Sequence, residues 1–189
     1  MASTAIALCS RALVKIGAQG ISSFHEGTAE SDVALYLYTS TRDALLSAHP
    51  WRFATAQTSL ALLAEEPFAD YQYAFALPTD FLRAISCGSG RRGLGVDYRI
   101  HENKLHANQK QITLTYIFRP EEISFPPFFD QALIARLAAE FCLPLTESTS
   151  RAEYLTKAAE EEFKNAKLID AQQAIPSAIW DFPLIGVRG

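Results

Sequence analysis

The period of the apolar residues changes twice along this chain, and that change limits its fold more than any other feature. Before Pro50 the period is helical. Ile6, Cys9, Leu13 and Ile16 recur at steps of three and four, one stripe of a helix over residues 3–16, with Gly17 suited to a left-handed stop. Gln19 to Gly27 reads as a loop anchored by Ile21 and Phe24. Thr28 is placed to cap a second helix, with Glu30 and Asp32 in the first turn, where the helix dipole favours acids. Its stripe is expected through Val33, Tyr36, Leu37, Ala44 and Leu45, ending near His49–Pro50. From Tyr71 the period is two, with Tyr71, Tyr73, Phe75 and Leu77 alternating with Gln72, Ala74 and Ala76. Helical character returns at Pro126–Pro127. Twelve of the sixteen residues from Phe128 to Leu143 are apolar, so this third helix is expected to be buried on most sides and to end at Pro144. Ser148 caps a fourth, reaching about Ala174. Ala152, Leu155, Ala159, Phe163 and Ala166 share one face, and Glu153–Lys157 and Glu160–Lys164 lie four apart on a solvated one.

Between the helices the chain reads as antiparallel strands. Trp51 to Ala64 is extended, with a helical tail over residues 59–65. Leu77-Pro78-Thr79-Asp80 ends a strand and turns the chain, and residues 82–87 form the next strand. Tyr98–Ile100 and Leu105–Ala107 flank Glu102-Asn103-Lys104 as a short hairpin, and Ile112, Leu114, Tyr116 and Phe118 share one face of a last strand. The expectation is an α+β fold: a four-helix bundle (residues 1–50 and 120–175) with an antiparallel β module of four or five strands inserted between helices 2 and 3 (residues 51–119), then an extended C-terminal tail (residues 176–189). Leu133, Leu137 and Phe141 are expected to pack against Leu13, Ile16 and Val33.

Composition excludes several function classes. With 189 residues, 49% hydrophobic and 20% charged, the chain is long and apolar enough to fold without staples. A net charge of −4 argues against a broadly basic nucleic-acid binder. Cys9, Cys87 and Cys142 lie far apart with no C-x-x-C spacing, which points to buried reduced thiols in a cytoplasm rather than disulfides or a zinc knuckle. Neither a signal peptide nor a membrane span is expected.

Motifs for chemistry are also wanting. His101, Glu102 and His106 do not follow H-E-x-x-H, and a hairpin is expected to hold the imidazoles apart. The loop from Gly88 to Gly95 is rich in glycine but lacks the G-x-x-x-x-G-K-[ST] ending, and no helix pattern follows it. Cys87-Gly88-Ser89-Gly90 is not a nucleophile elbow, and Glu160-Glu161-Glu162 wraps around a helix as a solvated face. No catalytic, cofactor-binding or metal-binding residue is assigned, and no enzymatic activity is expected.

Three stretches carry a resemblance: Ala12-Leu13-Val14-Lys15-Ile16-Gly17 with Ile21-Ser22-Ser23-Phe24 and Glu26-Gly27-Thr28-Ala29-Glu30; the run from Arg42 through Ser47-Ala48-His49-Pro50-Trp51-Arg52-Phe53 to Ala54; and Tyr73-Ala74-Phe75-Ala76-Leu77-Pro78-Thr79-Asp80-Phe81-Leu82-Arg83. In this order and spacing the chain resembles the tail tubular protein A family, the head-to-tail adaptors of short-tailed bacteriophages. The resemblance extends through most of the chain and is weakest in the loop 88–95 and after Ala174. It implies a structural virion component of the tail or neck, made in the host cytoplasm: a homo-oligomeric ring of twelve subunits that joins the portal protein to the tail nozzle protein. DNA would pass through the lumen unread, and no membrane or cofactor is involved. Pro50, Trp51, Phe53, Leu77 and Pro78 are structural junction residues in this reading. Ile179, Trp180, Phe182, Leu184 and Ile185 of the tail would contact the portal or a neighbouring subunit. Arg91 and Arg92 would meet carboxylates of the nozzle or an adjacent subunit.

Two readings of other classes stand beside it. One is a small cytoplasmic α+β enzyme or ligand-binding protein with its pocket at the helix–sheet junction. The other is a DNA-binding packaging factor that uses Arg91, Arg92 and Arg99.

Overall fold

Capping chemistry sets where the helices begin. The computed structural model describes residues 4–90 and 93–173, with helices α1 (Ala5–Lys15), α2 (Ala29–Ser47), α3 (Pro127–Thr146) and α4 (Thr149–Gln172). The Thr4 hydroxyl accepts from the Ala7 N–H (3.2 Å) and Ser148 from Arg151 (3.4 Å). Thr28 and Ser31 cap reciprocally: Thr28 Oγ1 accepts from the Ser31 N–H and Ser31 Oγ from the Thr28 N–H, at 3.2 and 3.1 Å. After α1 the chain turns through Gly17 at φ +79°, a conformation glycine adopts without a Cβ penalty.

Two helical expectations need correction. Tyr36 is 77% exposed; α2 instead buries Ala34, Tyr38, Thr41 and Leu45, and Val33 and Leu37 are half-buried at the edge of that stripe. The stripe shifts because the Tyr38 hydroxyl finds an acceptor inside, Glu122 Oε1 at 2.9 Å. Nor does Pro144 end α3. The helix runs on to Thr146 and stops at Glu147, which takes a left-handed φ of 53°. A proline this late forfeits one hydrogen bond, while the buried Phe141 and Cys142 keep the last turn seated.

Among the described residues six strands follow α2 and precede α3 in chain order: β1 (Thr55–Ser59), β2 (Tyr73–Ala76), β3 (Phe81–Gly88), β4 (Tyr98–His101), β5 (Lys104–Ala107) and β6 (Thr113–Phe118). They form two antiparallel sheets, β1-β6-β3 and β2-β5-β4, rather than one sheet of four or five strands. Residues 59–65 are not helical. The Leu60 N–H donates to Ile112 O in the first sheet, and the Leu63 N–H to Ala74 O in the second, so this segment crosses between sheets in extended form. The β4–β5 turn places Glu102 and Asn103 at φ 48° and 60°, the mirror-image geometry that suits two-residue hairpins.

The larger apolar core lies among the helices. The helix α3 is its axis and packs against α1, α2 and α4. Leu133, Leu137 and Phe141 are fully buried in one cluster with Leu13 and Ile16, and Val33 packs at its edge. A second core holds Phe75, Leu105, Ile112, Leu114 and Tyr116 between the sheets. The strand β6 serves both: Leu114 and Tyr116 enter the sheet core, whereas Ile117 enters the helical one.

All three cysteines are buried and unbridged. Burial, with the nearby Glu122 charge, pushes Cys9 up to about 12, and burial pushes Cys87 up to about 11, so both remain protonated thiols at neutral pH. No described helix is long and apolar enough to cross a membrane.

Candidate functional site

Where α2 gives way to β1, residues 49–54 link the helices to the first sheet. Pro50 follows the end of α2, and the Trp51 ring turns inward, fully buried, with Nε1–H donating to Leu45 O at 3.0 Å. Its ring meets Phe129 and Phe163 edge-on at centroid distances of 5.2 and 5.7 Å. Phe53, on a single 3-10 turn (Arg52–Ala54), meets Phe125, Phe128 and Phe129 at 6.1, 6.2 and 5.0 Å. Edge-to-face aromatic pairs of this kind are worth about 0.5–1.5 kcal/mol each beyond their burial.

The same junction captures the far end of α4. Asp170 is buried, and its Oδ1 accepts from the Arg52 N–H at 3.2 Å, while Arg52 Nε donates to the Asp170 carbonyl at 3.0 Å. His49 Nε2 lies 3.5 Å from Asp170 Oδ2. Burial, aided by the positive charges of Lys167 and Arg83, lowers the His49 pKa more than Asp170 raises it, so His49 is neutral at pH 7. Beside these residues opens a cleft of about 610 Å³, lined by Arg52, Gln57, Ile85, Thr115 and Asp170 among others.

The glycine-rich loop returns to the sheet beside this cleft. Gln57, Thr115 and Ser86 lie in one cross-strand row of β1, β6 and β3. Gln57 Nε2 donates to Thr115 Oγ1 at 3.1 Å, and the Gly93 carbonyl accepts from Ser86 Oγ (2.6 Å) and Thr115 Oγ1 (3.3 Å). On the other side of the loop the Gly90 carbonyl accepts from Thr113 Oγ1 at 2.5 Å. The loop is thus fastened to β6 on both sides of Arg91 and Arg92, which themselves lie outside the described residues.

The other sequence-assigned positions fall in separate places. Leu77 and Pro78 lead from β2 into the turn closed by the Phe81 N–H donating to Pro78 O at 3.2 Å. The tail residues Ile179, Trp180, Phe182, Leu184 and Ile185 lie outside the described residues. Contrary to expectation, the hairpin brings the His101 and His106 rings together, at 5.8 Å, because they are diagonal neighbours on adjacent strands. Among the described residues no group of three His, Cys, Asp or Glu side chains stands at metal-binding spacing.

Two polar networks escaped the sequence reading. One is the Asp170–Arg52–His49 tie. The other joins α2 to the segment after β6: Arg42 Nη1 donates to Glu122 Oε1 (2.8 Å), Arg42 Nε to Asp43 Oδ1 (3.0 Å), and Arg119 grips Asp43 through two nitrogens. Both link residues remote in sequence, so no local spacing announces them. Neither a protein-family model nor a curated protein matches the chain.

Proposed function

We propose that this chain is a structural head-to-tail adaptor of a short-tailed bacteriophage virion, one subunit of a ring that joins the portal to the tail nozzle and lets DNA pass. The observation that carries the reading is the junction from His49 to Ala54. Helix, proline, inward tryptophan, 3-10 turn and strand follow one another in the stretch where the chain most resembles the tail tubular protein A family. That order ties the helices to the first sheet through Trp51, Phe53 and Arg52, which suits a subunit that must hold its shape between two partners. The ionisable groups buried at the junction serve the same end: Asp170 ties α4 to Arg52 and His49.

In a ring each subunit offers one patch to the subunit before it and a different patch to the one after. The reading assigns the C-terminal residues Ile179, Trp180, Phe182, Leu184 and Ile185 to the portal or a neighbouring subunit. It assigns Arg91 and Arg92, carried between the Gly90 and Gly93 anchors, to carboxylates of the nozzle or an adjacent subunit. Negative-stain microscopy of the purified chain mixed with rings of a portal protein from the same source tests the reading. An added layer of density on one face of the portal, with the same rotational symmetry, is expected. Portal rings left bare at saturating chain would overturn it.

A further inference from the structure

The cleft of about 610 Å³ at the end of α4 has the size of a small-ligand site, for which about 300–1,000 Å³ is usual. Its lining is divided. Ala56, Ile85 and Ala171 supply carbon, while Arg52, Gln57 and Thr115 supply polar atoms. Arg52 is exposed, yet its guanidinium is held in place. Its Nε donates to the Asp170 carbonyl at 3.0 Å, and both Nη nitrogens are left without a hydrogen-bond partner among the described residues. The Asp170 carboxylate does not take them, because its Oδ1 accepts from the Arg52 backbone N–H. Gln57 Nε2 donates one hydrogen to Thr115 Oγ1 and keeps a second.

Another guanidinium borders the cleft. Thr55, Ile117 and Arg83 form the cross-strand row next to that of Gln57, Thr115 and Ser86. Both rows share one face of the sheet, since Thr115 and Ile117 are two apart on β6. A bulge between Ala84 and Ser86 leaves Ile85 unpaired and exposed at the cleft wall. Arg83 Nε is buried and has no hydrogen-bond partner among the described residues, a state that native proteins rarely leave unused. The positive charges of Arg83 and Lys167 both act on His49, which also lines the cleft. Three cations (Arg52, Arg83 and Lys167) thus stand around one carboxylate, Asp170.

We infer that this cleft binds a small organic acid, its carboxylate held by the two Nη nitrogens of Arg52 and its aliphatic body laid against Ala56, Ile85 and Ala171. A planar guanidinium already oriented by one hydrogen bond matches a carboxylate with two parallel N–H groups. The surplus of positive charge favours an anion. The carbon walls favour one with an apolar body over inorganic phosphate, and Asp170 disfavours a second negative charge beside it. The inference stands whether or not the chain builds a ring.

NMR of the arginine Nε–H groups of the full chain, titrated with sodium hexanoate at fixed ionic strength, tests this. Arg52→Lys and Arg83→Lys assign the two signals. The Arg52 signal is expected to shift saturably with hexanoate and to stay still with hexanamide, which has the same body without the charge, and with inorganic phosphate. Arg52→Gln should weaken hexanoate binding about tenfold or more in calorimetry, the loss of a charge-assisted pair. Because Arg52 also anchors Asp170, Ala171→Phe is the second variant: Ala171 is exposed, and the added ring should fill the cleft and abolish binding while the fluorescence of the buried Trp51 stays unchanged. A shift that never saturates overturns the inference. So does an equal response to hexanamide or to phosphate, or hexanoate binding that survives Ala171→Phe.

Discussion

A missing β-carbon decides how the glycine-rich loop meets its sheet. A Cβ on Gly93 would fall 2.5 Å from Gln57 Nε2 and 2.7 Å from Thr115 Oγ1, the pair whose hydrogen bond spans β1 and β6. Gly93→Ala should therefore break that bond and lift the Gly93 carbonyl away from Ser86 and Thr115. The expected loss is about 1–3 kcal/mol, the cost of leaving partly buried polar groups unpaired. Because Gln57 ends in a flexible amide, Gln57→Ala added to Gly93→Ala should recover part of that loss, and thermal melts of the four proteins in the cycle measure it. A Gly93→Ala protein as stable as the parent would show that the loop does not need this close approach.

At the scale of the element, α3 is the member the others lean on. Leu137 is fully buried at its middle, so Leu137→Ala should cost about 2–5 kcal/mol, read as a lowered midpoint in denaturant with an unchanged slope. An unchanged midpoint would remove α3 from the centre of the core. What was legible in the sequence at this scale was whatever is local. Thr28 and Ser31 are three residues apart, and the apolar density of α3 and the turn at Glu102–Asn103 are contained in short windows. What was illegible depends on distant partners. The stripe of α2 slips from Tyr36 to Tyr38 because of a glutamate 84 residues away. The segment 59–65, free of turn residues and rich in leucine and alanine, reads as helix until Ile112 and Ala74 claim its backbone. The Asp170 tie joins positions 118 apart, and nothing near Asp170 distinguishes it from the exposed acids of α4. The resemblance-bearing stretch 49–54 marks the junction, yet it says nothing of what the junction holds.

Across the whole molecule, stability should fall in acid for a definable reason. Burial would raise the Glu122 pKa, but its own N–H, the Tyr38 hydroxyl and the Arg42 guanidinium outweigh burial and hold it below the usual carboxylate value. A group lowered on folding contributes its full stability above its unfolded value, about 4.3 for glutamate, and loses it as pH falls through the folded value. Glu122→Gln should thus melt lower than the parent at pH 7, and the gap should close as the buffer approaches pH 3. Melting curves that stay parallel across that range would put the acid sensitivity elsewhere. The strand β6 has a different consequence. With β1 on one flank and β3 on the other, and side chains entering both cores, it is the beam through which a load on the sheets reaches the helices. Tension along that strand strains its hydrogen bonds sideways and all together, since antiparallel bonds lie across the strand direction. A force applied to the first sheet would pass through β6 into the bundle before the strand peeled away, so the chain would carry a pull from sheet to helices.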